Sequence, residues 1–180
     1  MEFNSVDVKE ELLQFLKRSF TTAKVKIGIV KSDPQNHGDI PCIGINRVAD
    51  SQSMHTLGDF GGSEFNEEEF QYTEIYSTYF QESMEVRIWH TNADEREKVY
   101  RLLKALLMVF SKYIVGLGVR SFTMEGGKDE SDFSSQIVPF PVYWASIIIS
   151  YANPLDVDIT EHVQAITDIT VNGGVSIGTK

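Results

Sequence analysis

A single cysteine, Cys42, stands among the 180 residues. It excludes a disulfide within the chain, and with no CxxC pair or second thiol it excludes a cysteine-built zinc cluster. A reducing compartment is the expected setting. No apolar run approaches the ~20 residues that cross a bilayer; the longest, YWASIIIS from Tyr143, is strand-sized and carries serines. The start MEFNSVDVKEELL has no basic region followed by an apolar core, so no secretory signal is expected. Positive charge is also short, with 16 Lys and Arg against 26 Asp and Glu, a net charge of −10. A grip on nucleic acid phosphates needs Lys and Arg to displace counterions, so DNA or RNA binding is excluded as a main activity.

What is present is an ordinary globular composition: 42% hydrophobic, 23% charged and 11% aromatic. The length suits one domain over 1–180, and no internal repeat or low-complexity tract interrupts it. The acidic excess gathers in SEFNEEEF (63–70), EGGKDESDF (125–133) and DVDITEH (156–162).

Periodicity sketches the elements. SVDVKEELLQFLKRSF puts Val8, Leu12, Phe15, Leu16 and Phe20 on one stripe, with Ser5 or Asp7 as N-cap and Lys17 and Arg18 in the last turn. After a Thr-Thr turn, KVKIGIV (24–30) alternates as a strand. SDPQNHGD (32–39) is a turn, and IPCIGINRV (40–48) is a strand that Pro41 confines to a start or an edge. Residues 49–70 read as a mobile loop. From Phe70 to Trp89 one parity carries Tyr72, Tyr76, Phe80, Met84, Val86 and Ile88, which predicts a long strand, or two strands with a bulge near Glu82 and Ser83.

A second helix is predicted over 93–115, with Val99, Leu102, Leu103, Leu106, Leu107, Phe110 and Ile114 on its apolar face and Glu95, Arg96, Glu97, Lys98 and Arg101 opposite; Gly116 and Gly118 end it. Then follow a strand at 119–124, a loop at 125–137, a strand at 138–153 entered through two prolines, an extended segment at 162–171 and a flexible tail at 172–180. Paired strands separate the helices, so the expected class is α+β: a mixed, mainly antiparallel sheet with two main helices packed on it and long loops.

Chemistry is sparse. At the strand-to-helix corner WHTNADERE, Asn92 is the expected N-cap and Glu95 the residue reaching back to its amide, a capping box. His90 with Asp94 is the one acid–base pair in view, and no Ser or Cys nucleophile lies beside it. The bulky, acidic approach to that helix disfavours phosphate. His37 with Asp39 and His55 with Asp59 match no metal-ligand spacing, and the D-F-G string within GDFGG lacks every companion motif of a kinase. No catalytic residue, cofactor or metal is expected. Arg87, Trp89, Tyr143 and Trp144 are instead candidates for an interface or groove, since Trp, Tyr and Arg concentrate in interface anchors.

The order YFQESMEVRIWHTNADEREKVYRLLKALLMVF, then VPFPVYWASIIISYANPLDVDITEHVQAITDITV with Val163, Ile166, Ile169 and Val171 spaced along its end, resembles the tail-terminator (tail completion) proteins of long-tailed bacteriophages. The resemblance covers residues 70–171. It implies a non-enzymatic virion protein: a ring, expected to be hexameric, that caps the tail tube, joins it to the head-side connector and neck proteins, and lets DNA pass without specific binding. Six copies at −10 carry about −60, which suits an acidic lumen. Glu64, Glu67, Glu68, Glu69, Asp129 and Glu130 become lumen or contact candidates, with Arg87, Trp89 and Trp144 at subunit interfaces. Another neck, connector or baseplate component fits the same pattern. A small cytosolic enzyme or ligand-binding domain using His90 and Asp94 is the reading from a different class.

Overall fold

The computed structural model describes residues 2–53, 60–68, 71–132 and 141–162. Along the chain come β1 (Glu2–Ser5), α1 (Val8–Thr22), β2 (Gly28–Val30), a 3-10 turn (His37–Asp39), β3 (Cys42–Ser53), β4 (Phe60–Asn66), β5 (Gln71–His90), α2 (Ala93–Val115), β6 (Arg120–Asp132) and β7 (Val142–His162). The class is α+β: two helices on a mixed, mostly antiparallel sheet, in which only β2 and β3 run parallel.

The long strands β5 and β7 form the axis of the sheet. They pair without a register shift from Gln71 opposite His162 to His90 opposite Tyr143, a ladder roughly 65 Å long at the usual rise per residue. Each is flanked by two shorter strands set end to end. β3 and then β4 follow β5, while β6 and then β1 follow β7, and β2 closes the outer side of β3.

The helices cover one face of half this ribbon. Alternate residues Ile43 and Ile45, Met84, Val86 and Ile88, and Ile147, Ile149 and Tyr151 meet Val8, Leu12, Leu16 and Phe20 of α1 and Val99, Leu103, Leu107, Phe110 and Ile114 of α2. Each fully buried apolar side chain contributes about 1.5–3 kcal/mol. On α1, Leu13 is also buried, and Phe15 packs at the side with its ring 5.3 Å from that of Phe110. Leu102 and Leu106 of α2 are only partly buried against the core.

Several expectations are corrected. α1 runs through the expected Thr-Thr turn, because the Thr21 and Thr22 hydroxyls donate to the Lys17 and Arg18 carbonyls (2.7 and 2.9 Å) and stay within the helix; Lys17 and Arg18 are therefore not in its last turn. Of KVKIGIV only Gly28–Val30 is strand, and Val25 and Ile27 pack on the core without a ladder. β5 is a single strand. The irregularity lies in its partner, where Arg47 faces Met84 and Ala49 faces Ser83, so Val48 is the bulged residue and is exposed.

The 49–70 loop is largely sheet, since β3 continues to Ser53 and β4 occupies Phe60–Asn66. Likewise β6 carries the 125–137 loop as far as Asp132, and β7 runs on to His162. The described side chains of these pieces at 47–51, 63–66 and 125–130 are exposed, so their sequence needs no apolar alternation. Gly127 reads as a loop residue but serves close packing: a Cβ there would lie 2.1 Å from Ser146 Oγ and 3.0 Å from its carbonyl oxygen. Residues 163–171 and 172–180, the extended segment and the tail of the sequence reading, lie outside the described residues.

Leu107 sits at the centre of the helix-covered half with no exposed surface. Leu107→Ala is expected to lower unfolding free energy by about 2–5 kcal/mol in urea denaturation; a loss under half a unit would contradict this packing.

Candidate interface surfaces

Strand alternation sends Glu85, Arg87 and Trp89 of β5 to the face away from the helices. Trp89 lies directly opposite Trp144 of β7, and the two rings stack with centroids 5.8 Å apart at 29°. The Arg87 guanidinium lies 4.8 Å from the Trp144 ring centre and 5.7 Å from that of Trp89, a cation–π arrangement on both. Its Nη1 donates to Asp33 Oδ2 and its Nη2 to Glu85 Oε2 at 2.6 Å. Asp33 Oδ1 accepts from Trp89 Nε1 (3.2 Å) and from Asn46 Nδ2 (2.9 Å).

Arg87, Trp89 and Trp144 thus form one cluster within the chain, while Tyr143 pairs with His90 in the next row and belongs to the opposite face. Asp33, Glu85 and Asn46 escaped sequence reasoning. The available signal was Gly44 between Ile43 and Ile45: a Cβ there would meet the Ser32 carbonyl oxygen at 2.7 Å, so glycine is what lets the loop after β2 cross the strand and deliver Asp33.

The acidic candidates are divided. Glu64 on β4 and Glu67 and Glu68 in the turn after it are exposed, and the Glu68 amide donates to Asn66 Oδ1 at 3.0 Å. Glu69 lies outside the described residues. Glu64 is opposite Thr73, so this group lies some 14 β5 residues from Arg87, roughly 48 Å along the strand. Asp129 and Glu130 lie instead on β6, close to the tryptophans, with Glu130 directly opposite Trp144. Asp129 is held by both terminal nitrogens of Arg96, which is buried although the helical pattern placed it on the solvent face. That ion pair pins the start of α2 to β6.

At the corner, Asn92 caps α2 as expected, its Oδ1 accepting from the Glu95 amide at 3.0 Å. The reciprocal half of the capping box is not made. Glu95 turns to Lys98 Nζ (2.7 Å), and the Asn92 amide donates to His90 Nδ1 at 2.9 Å. His90 is therefore a turn acceptor, a role open only to its neutral form. Burial pushes its pKa below the ordinary 6.5, against the pull of Glu95. Cys42 offers no nucleophile either, because burial, with Asp39 and Asp33 nearby, pushes its thiol up to about 12. Among the described residues no three His, Cys, Asp or Glu gather as a metal site; His55 and Asp59 fall outside them.

Both tryptophans of the chain belong to the Arg87 cluster, so fluorescence reports on it directly. Asp33→Ala is expected to lower stability by roughly 1–3 kcal/mol by stranding the Arg87 and Trp89 donors, with a red-shifted emission; unchanged emission would refute the cluster. Asn92→Ala should cost about 1 kcal/mol in urea denaturation. Because folding lowers the His90 pKa, the stability contributed by neutral His90 is present above pH 6.5 and is lost as pH falls through the lower folded value. His90→Ala should accordingly flatten the acid limb of stability between pH 7 and 5, and an unaltered slope would refute the turn-acceptor role.

Compared with models of known protein families and with curated proteins, the chain matches none.

Proposed function

We propose that the chain is a structural virion protein of a long-tailed bacteriophage, a ring that caps the tail tube and joins it to the head-side connector, acting by assembly geometry and without chemistry. The observation that carries this reading is the β5–β7 ribbon. Its helix-covered half is a finished core, while every fully buried apolar residue of β5 lies in 84–88 and, among the described residues of β7, in 142–151. The remaining length, with partly buried Tyr72, Tyr76 and Phe80 and exposed Phe65 beside it, is a surface suited to a neighbouring subunit.

Two further features support the same reading. On the exposed side of α2 and the turn after it, Met108, Val109, Tyr113, Val115 and Leu117 are apolar and more than two-fifths exposed, more than scattered surface residues require. The outer strands β2, β6 and β4 offer backbone edges that subunits in a closed ring can pair. The acidic turn at Glu64, Glu67 and Glu68 is placed by this reading towards the lumen, where negative charge lets DNA slide. No helix among the described residues is long and apolar enough to cross a membrane.

Light scattering coupled to size exclusion, followed by negative-stain imaging with and without purified tail tubes, tests the proposal. A closed ring of about six subunits seated on tube ends is expected. A chain that stays monomeric at every concentration and leaves tube ends bare would contradict it.

A further inference from the structure

Where the helix-covered half of the ribbon ends, charge is buried. Glu82 of β5 takes a core-facing place and is 7% exposed. Its Oε2 accepts from the Tyr151 hydroxyl at 2.8 Å, and its Oε1 from Asn153 Nδ2 at 3.0 Å. Burial beside Glu82 raises the Tyr151 pKa, so the hydroxyl remains a donor.

Asn153 is 6% exposed. Its Nδ2 donates to Glu82 Oε1 and to the Val6 carbonyl oxygen (2.9 Å), and its Oδ1 is buried without a hydrogen-bond partner among the described residues. The amide orientation follows from its neighbours: turned over, its oxygen would face two acceptors. The unmet group is therefore an acceptor, and what it lacks is a donor.

Both side chains line a cleft of about 400 Å³, within the range of ligand-sized pockets (roughly 300–1,000 Å³). Asp7, Asp50, Phe80, Pro154 and Leu155 also line it, with Arg47 as its one basic residue. Acceptors and negative charge exceed donors and positive charge. No three acidic groups among the described residues converge as they would on a metal ion. Acceptors strung along a cleft with apolar walls suit an organic cation that presents several N–H groups in one plane on an aliphatic stem.

We infer that this cleft binds a guanidinium group, seated against Glu82 and Asn153 with its stem along Phe80 and Leu155. Arg47 is the group to be displaced. It lies 3.5 Å from Glu82 Oε2 and 4.0 Å from Asp50, and its side chain is 53% exposed, so it is held weakly and free to swing into solvent. The guanidinium can arrive on a small molecule or on an arginine side chain of another protein. The inference stands on the cleft alone and does not depend on ring assembly.

Calorimetric titration of the full chain with ethylguanidinium, with L-arginine amide and with an alanine-flanked arginine peptide, at matched ionic strength, tests it. Saturable binding is expected, at least tenfold tighter than for ethylammonium. Glu82→Gln should weaken it at least tenfold and Asp50→Asn, at a more exposed position that spares the fold, several-fold, while Arg47→Ala should tighten it several-fold. A peptide bound at least tenfold better than free arginine amide identifies a protein side chain as the source, and equal binding a small molecule. No saturable binding, binding that ethylammonium matches, or binding to Arg47→Ala but not to the natural chain would overturn the inference, the last because the cleft would then be only the seat of Arg47 itself.

Discussion

The antiparallel pairing of β5 with β7 is the constraint on which the rest of the structure depends. Every other strand except β2 is laid directly along one of these two, and β2 is joined through β3. Because the ladder runs without a shift from Gln71 to His90, it determines which side chains face the helices along its entire length. A slip of one residue would carry Met84, Val86 and Ile88 to the solvent face and Glu85 and Arg87 into the core, so apolar burial at one end holds the register of the other. The ends nevertheless differ. At one, two helices complete a core; at the other, the ribbon ends in an acidic turn, and among the described residues no helix lies over it.

That asymmetry explains how much was legible in the sequence. Both helices could be read, because burial against the sheet imposes a stripe on each and Asp7 and Asn92 mark their starts with side-chain oxygens that accept first-turn amides. The α+β class and the length of β5 followed from the same logic. The second half of β3, together with β4 and the end of β6, could not be read, since apolar alternation records a buried face and the described side chains of these segments are exposed. Their hydrogen bonds come from the neighbouring strand, which leaves little trace in local sequence. Arg96 and Asp33 were missed for a related reason: each is placed by a partner more than 30 residues away, Asp129 for the first and Arg87 and Trp89 for the second.

The join between β5 and α2 illustrates how a cluster of polar residues resolves into structural tasks. Asn92 caps, His90 receives the Asn92 amide, Glu95 pairs with Lys98, and Arg96 ties the helix to β6. Each of these side chains limits the angle at which α2 leaves the strand, and with it the fit of Val99, Leu103 and Leu107 on the sheet. The Nδ1 of His90 is turned into the backbone, where it receives the Asn92 amide. A buried acceptor left without a partner among the described residues lies elsewhere, on Asn153 beside Glu82 at the end of the core.

One half of the ribbon is finished within the chain, and the other, under the proposed function, is completed by contact with further copies. Backbone hydrogen exchange, followed at low and high protein concentration, examines both halves at once. The slowest exchange is expected at 84–90 and 145–151 under all conditions, with faster exchange at 71–80 and 153–160 in the dilute protein that slows when the protein assembles. Equal protection of both halves in the isolated chain, unchanged as concentration rises, would contradict it.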